Sequence, residues 1–103
     1  LGEENLVFDM VEGFSKSEMG TIVDNLKKKY SSAVILIVNS DNLYFVCGTT
    51  SDSKFDAGNI AKELGKFLGG GGGGRRDFAE GGGGKIKRTR EEIIKFLTSA
   101  LKK

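Results

Sequence analysis

The spacing of hydrophobic positions changes along the chain, and each change predicts an element. Leu6, Phe8 and Met10 alternate with Val7, Asp9 and Val11, the period-two pattern of a strand, with Asp9 marking the less buried face. Gly13 ends that run. Ser15-Lys16-Ser17-Glu18 is a capping box, with Ser15 as N-cap, and Phe14 and Met19 stand at the staple positions around it. Met19, Ile22, Val23, Leu26 and Tyr30 then recur at helical spacing as one apolar stripe. Gly20 costs such a helix about 1 kcal/mol relative to alanine, so its presence points to close packing on a strand. Lys27-Lys28-Lys29 suit the negative end of the helix dipole and read as a solvated C-terminus.

Ala33–Val38 shows no alternation at all. Six apolar residues rich in β-branching predict a central strand covered on both faces. Asn39-Ser40-Asp41-Asn42 is turn chemistry, and Leu43–Cys47 is the expected return strand of a hairpin. Cys47 reads as a small buried residue of that strand. Thr49–Lys54 is a polar loop. Asp56 is placed to cap a second helix, with Phe55 and Ile60 as its staple. Its inward stripe is Ala57, Ile60, Ala61, Leu64 and Leu68, and Gly69 is placed to end it. Thr89-Arg90-Glu91-Glu92 is a further capping box. It opens a last helix with Ile93, Phe96, Leu97, Ala100 and Leu101 inward, widened by Ile94 and ended by Lys102-Lys103.

These elements predict an α/β fold in β-α-β-β-α-loop-α order, a small mixed sheet of three or four strands flanked by helices. The loop is the unusual part. Gly69–Gly74 and Gly81–Gly84 hold 10 of the 16 glycines, and Arg75-Arg76-Asp77-Phe78-Ala79-Glu80 lies between them. A plain linker has no use for two arginines, an aspartate and a phenylalanine at its middle. The segment 69–84 is therefore read as a glycine-rich recognition loop, with Phe78-Ala79-Glu80 as a short strand or turn within it.

Composition narrows the chemistry. The chain has no histidine, and Cys47 is its one cysteine. Internal disulfides, Cys/His zinc sites and Ser-His or Cys-His nucleophile pairs are excluded, and no metal site is expected. A lone cysteine suits a reducing, cytoplasmic setting. No apolar run approaches the ~18–20 residues that span a bilayer, so no membrane partner is expected. The chain opens Leu1-Gly2-Glu3 without a signal segment and reads as one domain, 1–103, cut from a longer protein.

Charge is distributed unevenly. Residues 1–60 carry 5 basic and 9 acidic side chains, whereas residues 61–103 carry 11 basic and 5 acidic. The basic excess falls in and around the glycine block, which points to a polyanionic partner. The glycine runs match a dinucleotide fingerprint only trivially, and they follow a helix where that motif needs a strand. Gly84-Lys85-Ile86 lacks the Ser or Thr of a P-loop. For nucleic acid the parts fit better. Arg75, Arg76, Lys85, Lys87, Arg88 and Arg90 are candidate phosphate contacts, and Gly70, Gly71, Gly72, Gly73 and Gly74 offer bare backbone for a base or sugar. Asp77 and Glu80 are expected to orient the loop, Asp77 by accepting backbone N–H groups. Valine at Gly71 or Gly72 is expected to spoil docking while leaving the fold mostly intact.

Arg75, Asp77, Ala79 and Gly81-Gly82 follow a known pattern of a glycine run, a basic residue, Pro-Asp-Met-Ala-Gln and further glycines. Arg76, Phe78 and Glu80 replace its proline, methionine and glutamine. The block thus resembles the motif of the DHHA1 family, and within it most resembles the C-terminal (C-Ala) domains of alanyl-tRNA synthetases. That resemblance implies a mixed sheet flanked by helices. It implies a non-catalytic domain docking on the outer corner of tRNA, alanine-specific in the parent enzyme, in support of aminoacylation and editing. ATP, magnesium and zinc would belong to other parts of that enzyme, a ligase, with no cofactor here. It also implies pairing of two copies through this domain and a preceding helical segment. Two alternatives are the substrate-binding domain of a DHH-type phosphodiesterase, whose Gly-Gly-His loop is absent, and a dimerisation module with an incidental basic loop.

Overall fold

The computed structural model describes residues 5–82 and 84–101. Expectations that rest on Leu1-Gly2-Glu3, Gly83, the Leu101 side chain and Lys102-Lys103 lie outside the described residues. The elements are β1 (Asn5–Val11), α1 (Lys16–Lys29), β2 (Ala33–Asn39), β3 (Phe45–Thr49), α2 (Ala57–Phe67), β4 (Gly71–Gly74), β5 (Phe78–Gly82) and α3 (Arg90–Leu101). They form one five-stranded sheet in the order β1-β2-β3-β5-β4, with β1 and β2 parallel and the other pairs antiparallel.

The period-two pattern of β1 sets which face each residue serves. Leu6, Phe8 and Met10 pair with Val34, Leu36 and Val38, and all six pack into the core that α2 and α3 cover. Val7 and Val11 join Ile35, Ile37 and Val46 in a second core under α1. The central strand β2 is buried at every position, as its unbroken apolar run requires. The sheet is therefore a middle layer between helices.

The helix starts follow their capping signals. Both bonds of the Ser15–Glu18 box form, at 2.9 and 3.1 Å. The Thr89–Glu92 box does the same at 2.9 and 3.1 Å, and the Asp56 carboxylate accepts from the Asn59 N–H at 3.2 Å. Gly69 follows the C-cap Leu68 at φ +79°, the left-handed position that ends α2. On α1, Met19 and Val23 are buried while Tyr30 is not, because the helix ends at Lys29 and Tyr30 is its extended C-cap.

Two expectations are corrected. The return strand starts at Phe45 rather than Leu43 and runs on through Thr49, into the segment read as polar loop. Asn39 and Asn42 side chains accept backbone N–H groups of Asp41 and Tyr44, and this lengthens the turn. Leu43 sits in it at φ +61°, a position leucine rarely takes, with its side chain buried. The larger correction is the strand count. The glycine block is a β-hairpin on the sheet edge rather than a loop, which raises three or four strands to five. Glycine disfavours strands because it brings no side chain to pack. Here the backbone itself packs, so propensity is overridden.

Gly20 does face a strand: a Cβ there would stand 3.4 Å from the Phe78 ring of β5, an ordinary contact. The helix thus carries the cost of glycine without needing the space. Gly20→Ala is expected to raise stability by up to about 1 kcal/mol. Urea unfolding of both proteins checks this, and a loss of stability would show that the Phe78 ring cannot accommodate a methyl group.

Candidate nucleic-acid interface

The hairpin begins where α2 stops. The Gly70 N–H donates to the Gly65 carbonyl at 2.7 Å, and the chain doubles back along its own helix as β4. The approach is backbone on backbone. A Cβ at Gly65 would stand 2.5 Å from the Gly71 carbonyl carbon, and one at Gly72 would stand 2.5 Å from the Ala61 carbonyl oxygen. Gly81 lies as tightly against Phe45. No other residue fits at Gly65 or Gly72 without parting α2 from β4. The opposite side of β4 is open, since a Cβ at Gly71 or Gly73 would meet nothing within 4 Å.

The β4–β5 turn is anchored, not loose. The Arg76 carbonyl accepts from the Ala57 N–H at 2.7 Å and the Thr49 hydroxyl at 2.8 Å. The Asp77 carbonyl accepts from the Thr49 N–H at 3.1 Å and from Lys27 Nζ. The turn is thereby tied to β3, α1 and the start of α2. It is the Asp77 carbonyl that holds this turn, while its carboxylate lies 3.6 Å from the Arg75 guanidinium. The Glu80 carboxylate pairs with Lys16 of α1 at 3.6 Å.

The expected phosphate contacts divide into two groups. Arg75 and Arg76 sit at the turn, near Lys27. Arg75 is 77% exposed, whereas the Arg76 guanidinium donates to the Ser53 carbonyl and so serves the fold. Lys85, Lys87 and Arg88 sit at the opposite end of the hairpin. The Lys85 and Ile86 amides both donate to the Leu68 carbonyl at 3.0 Å. Lys85 and Lys87 are exposed. Arg88 lies over the Phe67 ring at 4.2 Å, donates to the Phe67 carbonyl and pairs with Glu92, so it too is largely committed to structure. Arg90 pairs with Asp9 at 3.4 Å. A four-residue strand at ~3.3 Å per residue separates the two groups by roughly 13 Å. The structure does not gather these residues into one patch; it places Arg75 and the Lys85-Lys87 pair at the two ends of a bare strand.

Two residues absent from the sequence-based set border the neighbouring strand β5. The Tyr44 ring lies across Gly82, where a Cβ would stand 2.3 Å from Cδ1, and Lys16 Nζ lies 4.7 Å from the ring centre. Lys16 had a signal: a cation at the first position of a helix opposes the helix dipole and so points to a partner elsewhere. Tyr44 had none, because its neighbour Gly82 is 38 positions away. Catalytic chemistry is poorly served. Cys47 is buried, and desolvation pushes its thiol up to about 12, far from the thiolate a nucleophile needs. No helix among the described residues is long and apolar enough to cross a membrane.

This architecture has relatives. The family model described as DHHA1 domain matches residues 3–103. The chain belongs to the DHHA1 family. This DHHA1 domain also superimposes on the C-Ala domain from Aquifex aeolicus alanyl-tRNA synthetase with a TM-score of 0.84 and 32% identity, covering 94% of this chain and 90% of that one. It is 37% identical over 98 residues to an alanine–tRNA ligase of Alkaliphilus oremlandii, covering 90% of this chain and 11% of the relative. A ligase of Bacillus thuringiensis is 35% identical over 103 residues, 95% of this chain and 12% of the relative. The chain thus spans about a tenth of the length of the curated relatives it matches.

The two faces of β4 should respond oppositely to a methyl group, and Gly72 corrects the expectation that bulk there spares the fold. Gly72→Ala is expected to destabilise this DHHA1 domain by about 1–3 kcal/mol through overpacking. Gly73→Ala should change stability by less than about 0.5 kcal/mol, as at other open surface positions. Thermal or urea unfolding of the pair checks the contrast; equal losses would mean that β4 does not lie against α2.

Proposed function

We propose that this DHHA1 domain is the tRNA-binding C-terminal domain of an alanine–tRNA ligase. It performs no chemistry itself. It docks on the outer corner of folded tRNA, where the D- and T-loops meet, and so helps the cytoplasmic parent enzyme hold one tRNA through aminoacylation and editing. ATP, magnesium and zinc belong to the parent's other domains. The observation that carries this reading is the bare strand β4, open at Gly71 and Gly73 and bounded by Arg75 at one end and Lys85 and Lys87 at the other. The likeness to the C-Ala domain and to alanine–tRNA ligases supports the choice of tRNA among polyanions.

Exposed cations that bracket backbone suit recognition of RNA by shape: the cations meet phosphates while the strand meets a flat sugar or base surface. Three neutralised phosphates give a slope of log K against log salt of about −3. Fluorescence anisotropy with folded tRNA and with unstructured RNA of equal length tests this. Micromolar or weaker binding that prefers the folded RNA is expected. Arg75→Ala should flatten the slope by about one and weaken both RNAs alike. A slope near zero, or equal binding of both RNAs by the parent domain, would contradict the reading.

A further inference from the structure

The open face of the hairpin carries one group that phosphate contact does not use. Glu80 is the register partner of Gly73 on β4 and of Val46 on β3, and Val46 belongs to the core under α1. Glu80 therefore points to the α1 side, the side on which Gly71 and Gly73 are bare. The helix does not extend over β4, and the Glu80 side chain is 50% exposed. Tyr44 stands beside it on Gly82, and Lys16 reaches both, 3.6 Å from the carboxylate and 4.7 Å from the ring. The result is a ledge. Its floor is glycine backbone, and its wall is an aromatic ring, a cation and a carboxylate.

A carboxylate in the middle of such a ledge repels phosphate, and when ionised it can only accept hydrogen bonds. Lys16 already compensates part of its charge. An acceptor beside an aromatic ring, over a floor with no side chains, matches the sugar or base edge of RNA. We propose that Glu80 is a specificity residue of this surface, accepting a hydrogen bond from a donor of folded RNA, either a ribose 2′-hydroxyl or the amino edge of a guanine, that packs beside Tyr44 on Gly71 and Gly73. The proposal rests on the RNA-binding reading above and adds that the hairpin reads a donor, not charge alone. It also gives the glutamate at this position a role distinct from that of the arginines.

Glu80→Ala and Glu80→Gln separate donor recognition from simple repulsion, because the amide keeps an acceptor oxygen without the charge. Both should melt near the parent, since an exposed ion pair contributes little. Glu80→Ala is expected to weaken folded tRNA about tenfold and leave unstructured RNA unchanged or tighter. Glu80→Gln should retain most of the preference. Repeating the titrations with tRNA carrying 2′-deoxyribose in its D- and T-loops, and with inosine replacing guanosine there, locates the donor. The alanine penalty should vanish on one of these backgrounds, the first for a 2′-hydroxyl and the second for a guanine amino group. If both variants tighten every RNA alike, Glu80 is only a repelling charge; if the penalty survives both replacements, Glu80 accepts from neither donor and the proposal fails. Failure of the parent domain to prefer folded tRNA would instead remove the RNA-binding reading and this inference with it.

Discussion

The contact on which the site depends is the backbone-to-backbone approach of β4 to α2. Gly65 on the helix and Gly72 on the strand together leave no room for a Cβ between them. The absence of side chains on that inner surface lets a two-stranded hairpin close the edge of the sheet and lie against the second helix. The same absence on the outer surface leaves Gly71 and Gly73 bare. Packing need and open surface are thus two sides of one glycine strand. The strand is held at its far end by the carbonyls of Arg76 and Asp77, which accept from Ala57, Thr49 and Lys27. It is held at its near end by the Leu68 carbonyl, which takes two N–H groups from the chain leaving the hairpin. The glycine strand β4 is held because its neighbours satisfy its backbone, while the packing side chains of the hairpin, Phe78 and Ala79, lie on β5.

The electrostatics follow from this placement. Of six basic side chains read as phosphate contacts, Arg76, Arg88 and Arg90 are engaged by a carbonyl or a carboxylate elsewhere in the fold, and Arg75 pairs with Asp77 two positions away. Arg75, Lys85 and Lys87 remain on the exposed surface. Net charge in the second half of the chain therefore overstates the number of cations a partner would meet. What the fold adds is spacing: Arg75 and the Lys85-Lys87 pair lie at opposite ends of the hairpin, with a tyrosine, a lysine and a glutamate beside β5 on the same face.

Most of the fold was legible in the sequence, and the reasons are local. The alternation of Leu6–Val11, the unbroken run Ala33–Val38 and the boxes at Ser15 and Thr89 each state an element through short-range chemistry. The glycine hairpin was not legible as strands, because nothing local favours glycine in a sheet. Its pairing is imposed by β3 on one side and α2 below. The site was half legible for the same reason. Arg75 and the glycines advertise themselves by composition. Tyr44 and Lys16 come to the hairpin through tertiary packing across more than thirty positions, and their place could not be read from spacing. The hold of the Asp77 carbonyl on the turn was not legible, because the turn presents its backbone inward and its carboxylate to Arg75.

The central claim is that the open side of β4 and its two basic ends form one docking surface for folded tRNA. Mapping backbone amide shifts by NMR while tRNA is added tests it most directly. The account predicts that the perturbed amides cluster at Gly71, Gly73, Arg75, Glu80, Gly82, Tyr44 and Lys85–Lys87, while the outer surface of α3 around Lys95 and Ser99 stays unchanged. Perturbations concentrated on α3, with the hairpin silent, would contradict it.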